Sequence, residues 1–292
     1  MNIAIYGRQF NLEVLPLVQE VFDNLARHGV DIYVHHQLNE HITDKIKTVQ
    51  YHVLKSGDAI KGLIDVFITL GGDGTLLDMV NVIGDTGVPV IGINFGRLGF
   101  LATINKSDIA AAIFAVVNKQ FSLDSRDLIS IDSHSNVFGN DNFALNDITI
   151  HKRDDAAMIT TRVYMDNEFL NAYWGDGIII STATGSTAYS LSCGGPIIFP
   201  MSKSIVLTPV SPHNLNVRPV VLPDSCTLSF EVECRSNNYL VSCDSRTAVI
   251  DKTIRFSVHK AGFQLNLIRL NNESYLSTLR NKLLWGLDVR NY

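Results

Sequence analysis

The chain has 292 residues, 46% of them hydrophobic and 18% charged, which suits two domains with buried cores and excludes global disorder. Its formal net charge of −5 gives no electrostatic ground for binding nucleic acid, which wants a basic face. No run reaches the ~18 apolar residues of a membrane span. The opening MNIAIYGRQF breaks its apolar run at Gly7 and Arg8, unlike a signal peptide. Cys193, Cys226, Cys234 and Cys243 form no CxxC pair, so reduced core thiols in a soluble cytoplasmic protein are expected.

In chain order, the pattern predicts a strand over 2–6 and an amphipathic helix over 12–28, with Val14, Leu17, Val18, Val21, Phe22 and Leu25 at helical spacing. Strands follow at 31–34 and 65–70, then a helix over 76–83, a strand over 88–93 and a helix over 106–117. Strand–helix alternation implies parallel pairing with helical crossovers. From about Phe121 the pattern becomes strand after strand: 128–133, 146–151, 158–165, 177–181, 220–222, 227–232, 239–243, 253–259 and 265–270, as in an antiparallel sandwich or barrel. A last helix over 273–285 carries Tyr275, Leu276, Leu279, Leu283 and Leu284 on one side. The expected division is an α/β domain over 1–122, a β domain over 123–272, and a C-terminal segment 273–292 packing back on the first domain. A cleft between the domains is the expected place for a ligand.

Three motifs carry chemistry. Gly71-Gly72-Asp73-Gly74-Thr75 directly follows the 65–70 strand, and ligands of open α/β sheets bind beyond the carboxyl ends of strands. Glycines permit close backbone approach, and the N–H groups of Gly71, Gly72, Gly74 and Thr75 with the next helix N-terminus suit a phosphate. Asp73 then suits an acceptor hydroxyl or a metal-bound nucleotide; read locally, the same residues make a tight turn with Asp73 as helix N-cap. Neither GxxxxGK[ST] nor GxGxxG occurs, so an ordinary P-loop enzyme and a standard dinucleotide dehydrogenase are excluded. The second motif, GDGIIISTATGSTAYSLSCGGPI from Gly175, offers small residues and hydroxyls, with Tyr189 able to stack on a flat ring and Asp176 able to bond hydroxyls. Its plain alternative is a polar surface loop. The third, Asn146-Asp147, pairs an amide that suits adenine with a carboxylate that suits a diol; its alternative is a turn before a strand.

Together these motifs resemble the NAD kinase family. GGDGT, Gly96-Arg97-Leu98-Gly99-Phe100-Leu101, Asn146-Asp147, the long 175–197 segment, Ser211-Pro212-His213-Asn214-Leu215 with Arg218-Pro219, and Ser242-Cys243-Asp244-Ser245 occur in the family's order. The long segment is highly specific, whereas GGDGT is shared with lipid kinases and related to phosphofructokinases. The resemblance implies a Rossmann-like α/β N-terminal domain of the phosphofructokinase and diacylglycerol-kinase kind. It also implies an all-β sandwich C-terminal domain and an active site in the interdomain cleft, in a homo-oligomer (dimer or tetramer). The implied activity is transfer of a phosphoryl group from ATP or another donor, with Mg²⁺ carried on the nucleotide, to the 2′-hydroxyl of the adenosine ribose of NAD, giving NADP. By that resemblance Asp73 is the general base, and Asp73 and Gly74 touch the dinucleotide. Asn146 and Asp147 bind adenine and ribose, and Asp176, Thr187, Ala188, Tyr189, Ser190, Leu191 and Ser192 line the rest of the pocket. Arg246 follows the Asp244-Ser245 turn, where some members place a further contact. No protein-held metal, nucleic acid or membrane is expected.

Three positions depart from the family pattern. Asp147 stands where Glu is usual, Ala183 where many members have Pro, and Trp174 where some carry Arg. Two rivals remain at this stage. A lipid kinase shares GGDGT but not the long segment, and a silent NAD(H)-sensing module has no need of Asp73. His213 reads as bracing a turn.

Overall fold

The computed structural model describes residues 1–47, 49–133, 135–153, 157–270 and 274–285; position 273 and positions 286–292 of the expected C-terminal segment lie outside the described residues. The chain forms two compact units, Met1–Ser125 with the chain from Asn266, and Arg126–Leu265. Unit 1 contains β1 (Asn2–Gly7), α1 (Leu15–Arg27), β2 (Asp31–His35), α2 (His36–Ile42), β3 (His52–Leu54), β4 (Val66–Leu70), α3 (Asp73–Ile83), β5 (Val90–Asn94), β6 (Ile104–Asn105) and α4 (Ile109–Val117). The strand β7 (Phe121–Ser133) leads into unit 2. There follow β8 (Phe143–Ala144), β9 (Asp147–His151), β10 (Ile159–Met165), β11 (Glu168–Gly175), β12 (Gly177–Thr182), α5 (Tyr189–Ser192), β13 (Ser204–Val210), β14 (Val220–Pro223), β15 (Leu228–Glu233), β16 (Asn238–Cys243) and β17 (Arg246–Asp251). The long β18 (Phe256–Leu270) returns the chain to unit 1, where α6 (Tyr275–Leu283) follows.

In unit 1 the strands pair in parallel in the order β5–β4–β1–β2–β3. The residues of β4 and β5 are all buried, as expected of a parallel sheet covered on both faces. The helix α1 buries Val18, Val21, Phe22 and Leu25, spaced i, i+3, i+4, i+7, against that sheet's core. Its first turn differs from the expectation. Leu12–Val14 is a 3-10 turn, with Asn11 Oδ1 accepting from the Glu13 N–H, and the α-helix begins at Leu15 with Pro16 in its first turn. The strand order reverses between β1 and β4, so the ends of these strands, Gly7 and Leu70, mark the topological switch point.

Unit 2 contains a six-stranded antiparallel sheet, β14–β13–β12–β9–β16–β17, and a second antiparallel set, β11–β10–β15–β18. Residues from both, including Ile150, Ile180, Phe230 and Tyr239, form one apolar core, which makes the unit a sandwich. Several strands escaped the periodicity. Asp166 and Asn167, with φ 50° and 70°, close a two-residue hairpin between β10 and β11, in keeping with the turn chemistry of short polar residues. The strand β13 contains Pro209, which argues against a central strand. Here the Val210 carbonyl accepts from the Asp176 N–H at 3.0 Å, so the nitrogen of Pro209 faces the other side, where β14 has already ended at Leu207↔Val220. The two strands expected over 253–259 and 265–270 are one. Lys260, bound to Asp127 at 2.9 Å and Asp224 at 2.7 Å, anchors the middle of β18.

All four cysteines are free thiols; Cys226 and Cys243 are buried, whereas Cys193 and Cys234 are only half-buried, a correction to four core thiols. Of the apolar side of α6, only Leu279 is buried, and Leu276 and Leu284 are exposed. Among the described residues no helix is long and apolar enough to cross a membrane.

Candidate active site

The glycine turn sits at the carboxyl end of β4, beside the switch point. Gly71 has φ 150°, and a Cβ there would fall 2.3 Å from Thr75 Oγ1, so only glycine fits above the buried Thr75. The helix α3 begins at Asp73 rather than Leu76, with Gly72 as N-cap. Gly72 has no side chain with which to cap, so the start of α3 at Asp73 and Gly74 keeps the positive character that favours an anion, whereas the Gly71 and Thr75 N–H groups, also expected to hold a phosphate, donate to the Ile93 and Gly72 carbonyls at 2.9 and 3.0 Å.

Asp73 is therefore not the N-cap. Its carboxylate instead accepts three backbone N–H groups from the next loop: Phe100 on Oδ2 at 2.8 Å, and Leu101 and Ala102 on Oδ1 at 3.0 and 2.9 Å. Gly99 makes this possible, since a Cβ there would lie 1.7 Å from Asp73 Oδ1. Asn94 staples the start of the same loop, donating to the Arg97 carbonyl at 2.6 Å and accepting from the Gly96 N–H at 2.9 Å. Ala102 closes onto Gly92, where any Cβ would meet it at 2.7 Å. The Gly96-Arg97-Leu98-Gly99-Phe100-Leu101 segment is thus the seat of Asp73. A carboxylate has about four lone-pair directions, so Oδ2 keeps one that no loop N–H occupies.

Unit 2 gathers the other motifs. Asp244, at φ 51° in the turn between β16 and β17, accepts the N–H groups of Leu145, Asn146 and Asp147 at 2.8, 2.8 and 3.2 Å. The Asn146 carbonyl in turn accepts the Thr182 N–H at 2.9 Å. Gly185 lies against this backbone so closely that a Cβ would fall 2.0 Å from the Asn146 oxygen. The hydroxyls of the long motif are largely occupied. Thr182 donates to the Leu145 carbonyl at 2.6 Å, Ser186 to the Ala183 carbonyl at 2.7 Å, and Thr187 to the Thr184 carbonyl at 3.3 Å. Ser190 is fully buried, its hydroxyl 2.7 Å from that of Thr208. Tyr189 and Ser192 are exposed, and Ala188 and Leu191 half-buried. Asp176 forms an ion pair with Lys152 at 2.8 Å. Arg246 donates to the carbonyls of Asp141 and Phe143 and lies over the Phe143 ring. Trp174 packs on His213, ring centroids 4.2 Å apart, and its carbonyl accepts the His213 N–H at 2.8 Å.

Cys193, Asp147 and Asp176 lie within electrostatic reach of Tyr189. The phenol of Tyr189 is held above its ordinary range by burial, then by Cys193, with smaller contributions from Asp147 and Asp176. Burial and, next, the neighbouring Asp244 carboxylate push Asp147 up to about 7, against a hydrogen bond from Thr149 at 3.1 Å. Asp244 is raised too, by burial, and its three N–H bonds oppose the shift. Because the folded pKa of Asp147 lies above the ordinary carboxylate value, the folded chain holds the extra proton between the two. The stability that this proton confers is full below about pH 4 and lost as the pH rises through 7. Asp147→Asn is therefore expected to gain on the native chain as the pH rises, with a melting-temperature gap wider at pH 8 than at pH 5 by about 3 °C or more. A gap that stays constant across that range means the carboxylate is solvated or paired.

Sequence reasoning assigned no role to Asp244, Lys152 or Asn94. Asp244 had a signal in the Cys243-Asp244-Ser245-Arg246 turn, where a short polar residue tolerates positive φ. Lys152 and Asn94 act through contacts that only the fold creates.

Comparison with known proteins places these features. Residues 3–121 match the ATP-NAD kinase N-terminal domain and residues 145–270 the ATP-NAD kinase C-terminal domain. The chain is 42% identical over 292 residues to an NAD kinase of Cytophaga hutchinsonii, and 39% identical over 294 residues to one of Flavobacterium johnsoniae, with 100% of each chain covered in both cases. Its fold is similar to that of yeast NADH kinase complexed with NADH, with TM-score 0.88 and 24% identity over 100% of this chain and 90% of that one. It is also similar to an NAD kinase from Archaeoglobus fulgidus in complex with ATP, with TM-score 0.75 and 22% identity over 97% of this chain and 99% of that one. With both domains matched along most of its length and relatives of this identity covering it from end to end, the chain belongs to the NAD kinase family.

Proposed function

We propose that the NAD kinase reaction of this chain uses Asp73 as its general base, with ATP as phosphoryl donor. The observation that carries this reading is the pairing of an uncapped α3 N-terminus with a carboxylate held at a fixed place beside it by three loop N–H groups. A ribose hydroxyl is a weak nucleophile at neutral pH. The lone pair of Asp73 Oδ2 that the loop leaves open orients the 2′-hydroxyl and takes its proton as the bond to phosphorus forms and the bond to the leaving nucleoside diphosphate breaks. The N–H groups of Gly72 and Gly74 cradle the phosphates, a positioning role that phosphoryl transfer chiefly needs; those of Gly71 and Thr75 already donate to the Ile93 and Gly72 carbonyls at 2.9 and 3.0 Å. Mg²⁺ enters with the triphosphate as part of the substrate and neutralises phosphate charge.

On the acceptor, Asn146 reads the adenine edge and Asp147 the ribose diol. Asp176 and the 187–192 segment complete the pocket, with Tyr189 supplying an exposed ring face. The aspartate at 147 is short and buried, so it reaches the ribose only if the sugar comes close to the Asn146 backbone. Arg246 supports the pocket wall through the 141–143 backbone. We further propose an assignment of 1–122 to the nucleotide-binding domain and of 123–272 to the NAD-binding domain, except that the stretch from Asn266 folds with unit 1, a cytoplasmic location, and a homodimer or tetramer, for which light scattering of the purified chain is the test.

The assay is purified protein with NAD, ATP and Mg²⁺, and NADP read by an NADP-specific dehydrogenase. NADP formation that stops on chelation of Mg²⁺ is expected. Dinucleotide binding without NADP from any donor favours a sensing module instead, and phosphorylation of liposomes without NADP favours a lipid kinase.

A further inference from the structure

The segment that carries Asn146 and Asp147 has little secondary structure of its own. The strand β8 ends at Ala144, β9 begins at Asp147, and Leu145 and Asn146 lie between them. Backbone N–H groups in such a stretch need acceptors from elsewhere, and Asp244 supplies them. Its Oδ2 accepts from Leu145 at 2.8 Å, and its Oδ1 from Asn146 and Asp147 at 2.8 and 3.2 Å. The Asp244 N–H returns a bond to the Asp147 carbonyl at 3.0 Å. Two residues on, Arg246 donates to the carbonyls of Asp141 and Phe143. The β16–β17 turn thus grips the 141–147 segment with a carboxylate for its N–H groups and a guanidinium for its carbonyls, and ionised partners make the stronger hydrogen bonds.

The grip also sets a second carboxylate beside the first. Asp147 is 7% exposed. Around it stand Asp244 from the β16–β17 turn, Thr149 on β9 itself, Cys243 at the end of β16, Tyr189 on α5 and Cys193 just after that helix. Burial holds the phenol and both thiols above their ordinary ranges, so they stay neutral at pH 7. Asp176, which reaches Tyr189, is paired with Lys152 at 2.8 Å. Arg246 acts on Asp244. The charged neighbour that acts most on Asp147 is therefore a like charge. A ribose diol donates two O–H groups. An ionised carboxylate accepts both, whereas a protonated one has an O–H of its own to place.

We propose that Asp244 is a positioning residue for the acceptor: it fixes Asn146 and Asp147 through their backbone, and its charge decides when Asp147 is ionised to take the ribose diol, a role that rests on the reading that Asn146 and Asp147 meet the acceptor. Burial and, next, Asp244 push Asp147 up to about 7, so capture of NAD strengthens as the pH rises through that value. Donor binding has no part in this cluster and keeps its own pH dependence.

The test uses the full-length protein. Rates at saturating ATP give kcat/KM for NAD from about pH 5 to about pH 9, a profile that reports groups of the free enzyme. The native chain is expected to show a rise centred near 7. Asp244→Asn turns an amide toward the Leu145 N–H, donor to donor, and removes the like charge. It is expected to raise KM for NAD about tenfold, with KM for ATP within about twofold. The rise in its profile moves to lower pH without vanishing, because burial of Asp147 remains. Asp147→Asn, which keeps the Asp244 grip, is expected to lose the rise altogether, and this arm stands even if Asp244→Asn does not fold. An unmoved profile in Asp244→Asn, a rise that survives Asp147→Asn, or both KM values climbing together as the melting temperature falls overturns the proposal. If Asn146→Ala and Asp147→Asn leave KM for NAD unmoved, the acceptor reading itself fails and the inference falls with it.

Discussion

Asp73→Asn is expected to lower turnover by ~10²–10⁴, the usual worth of a positioned general base, with nucleotide binding largely kept. The substitution is close to isosteric, and Oδ1 keeps its role as acceptor for Leu101 and Ala102. The amide group, in the place of Oδ2, then faces the Phe100 N–H, donor to donor. That contact costs about 1–3 kcal/mol of local stability. The catalytic and structural roles therefore separate by measurement. Turnover is read from NADP formation, and folding from a thermal melt of the same sample. A large loss of turnover with a modest shift in melting temperature supports the base. Unchanged turnover removes Asp73 from the chemistry, and a collapse of melting temperature in step with activity leaves it only as the clamp of the 96–102 loop.

Gly185→Ala is expected to be the most damaging single methyl in unit 2, costing about 3 kcal/mol or more, because every atom the new methyl would strike is main chain. The new Cβ would stand 2.0 Å from the Asn146 oxygen and 2.4 Å from its carbonyl carbon. Main chain has no rotamer by which to escape. The 184–187 turn must lift, which breaks the Gly185 N–H bond to Thr182 Oγ1 at 3.0 Å and displaces the backbone that presents Asn146 and Asp147. Denaturant unfolding measures the cost, and NAD affinity of the surviving folded fraction measures the displacement. A stability within about 0.5 kcal/mol of the native chain is the outcome that sinks the argument.

Much of unit 1 could be read from the chain, because a parallel sheet covered on both faces writes itself as apolar runs. The 65–70 strand and the helical spacing of Val18, Val21, Phe22 and Leu25 are of this kind. The family resemblance was legible for a different reason: its motifs are long, and they are spelled in small residues that tolerate few alternatives. Gly71, Gly99, Gly177 and Gly185 each stand where a Cβ would strike another atom within 2.3 Å.

What could not be read depends on contacts between distant segments. That the Asp73 carboxylate is already engaged by residues 100–102 follows from the folding of a loop, and the sequence is silent on it. Asp147 is another case. Locally it is an ordinary aspartate; burial in unit 2 and, next, the Asp244 carboxylate that the β9–β16 pairing brings alongside give it a neutral-range pKa. The strand β13 was hidden by Pro209, whose nitrogen is harmless only because β14 stops short.

The strand β18 runs out of unit 2 and pairs in parallel with β5 through Leu267 and Val90. During synthesis the N-terminal sheet therefore emerges long before its last partner, with the whole of unit 2 made in between. Until then the Val90 end of that flank of β5 is an open edge, since β6 covers only Ile93 and Asn94, and an open edge is the kind of surface that recruits other nascent chains. Unit 2, by contrast, is contiguous in sequence and can close its sandwich as soon as Leu265 clears the ribosome. The protein is thus expected to finish folding where it began, with the first-made unit waiting on the last-made strand, and chains cut short before Leu265 should aggregate through the N-terminal unit rather than through the β-sandwich.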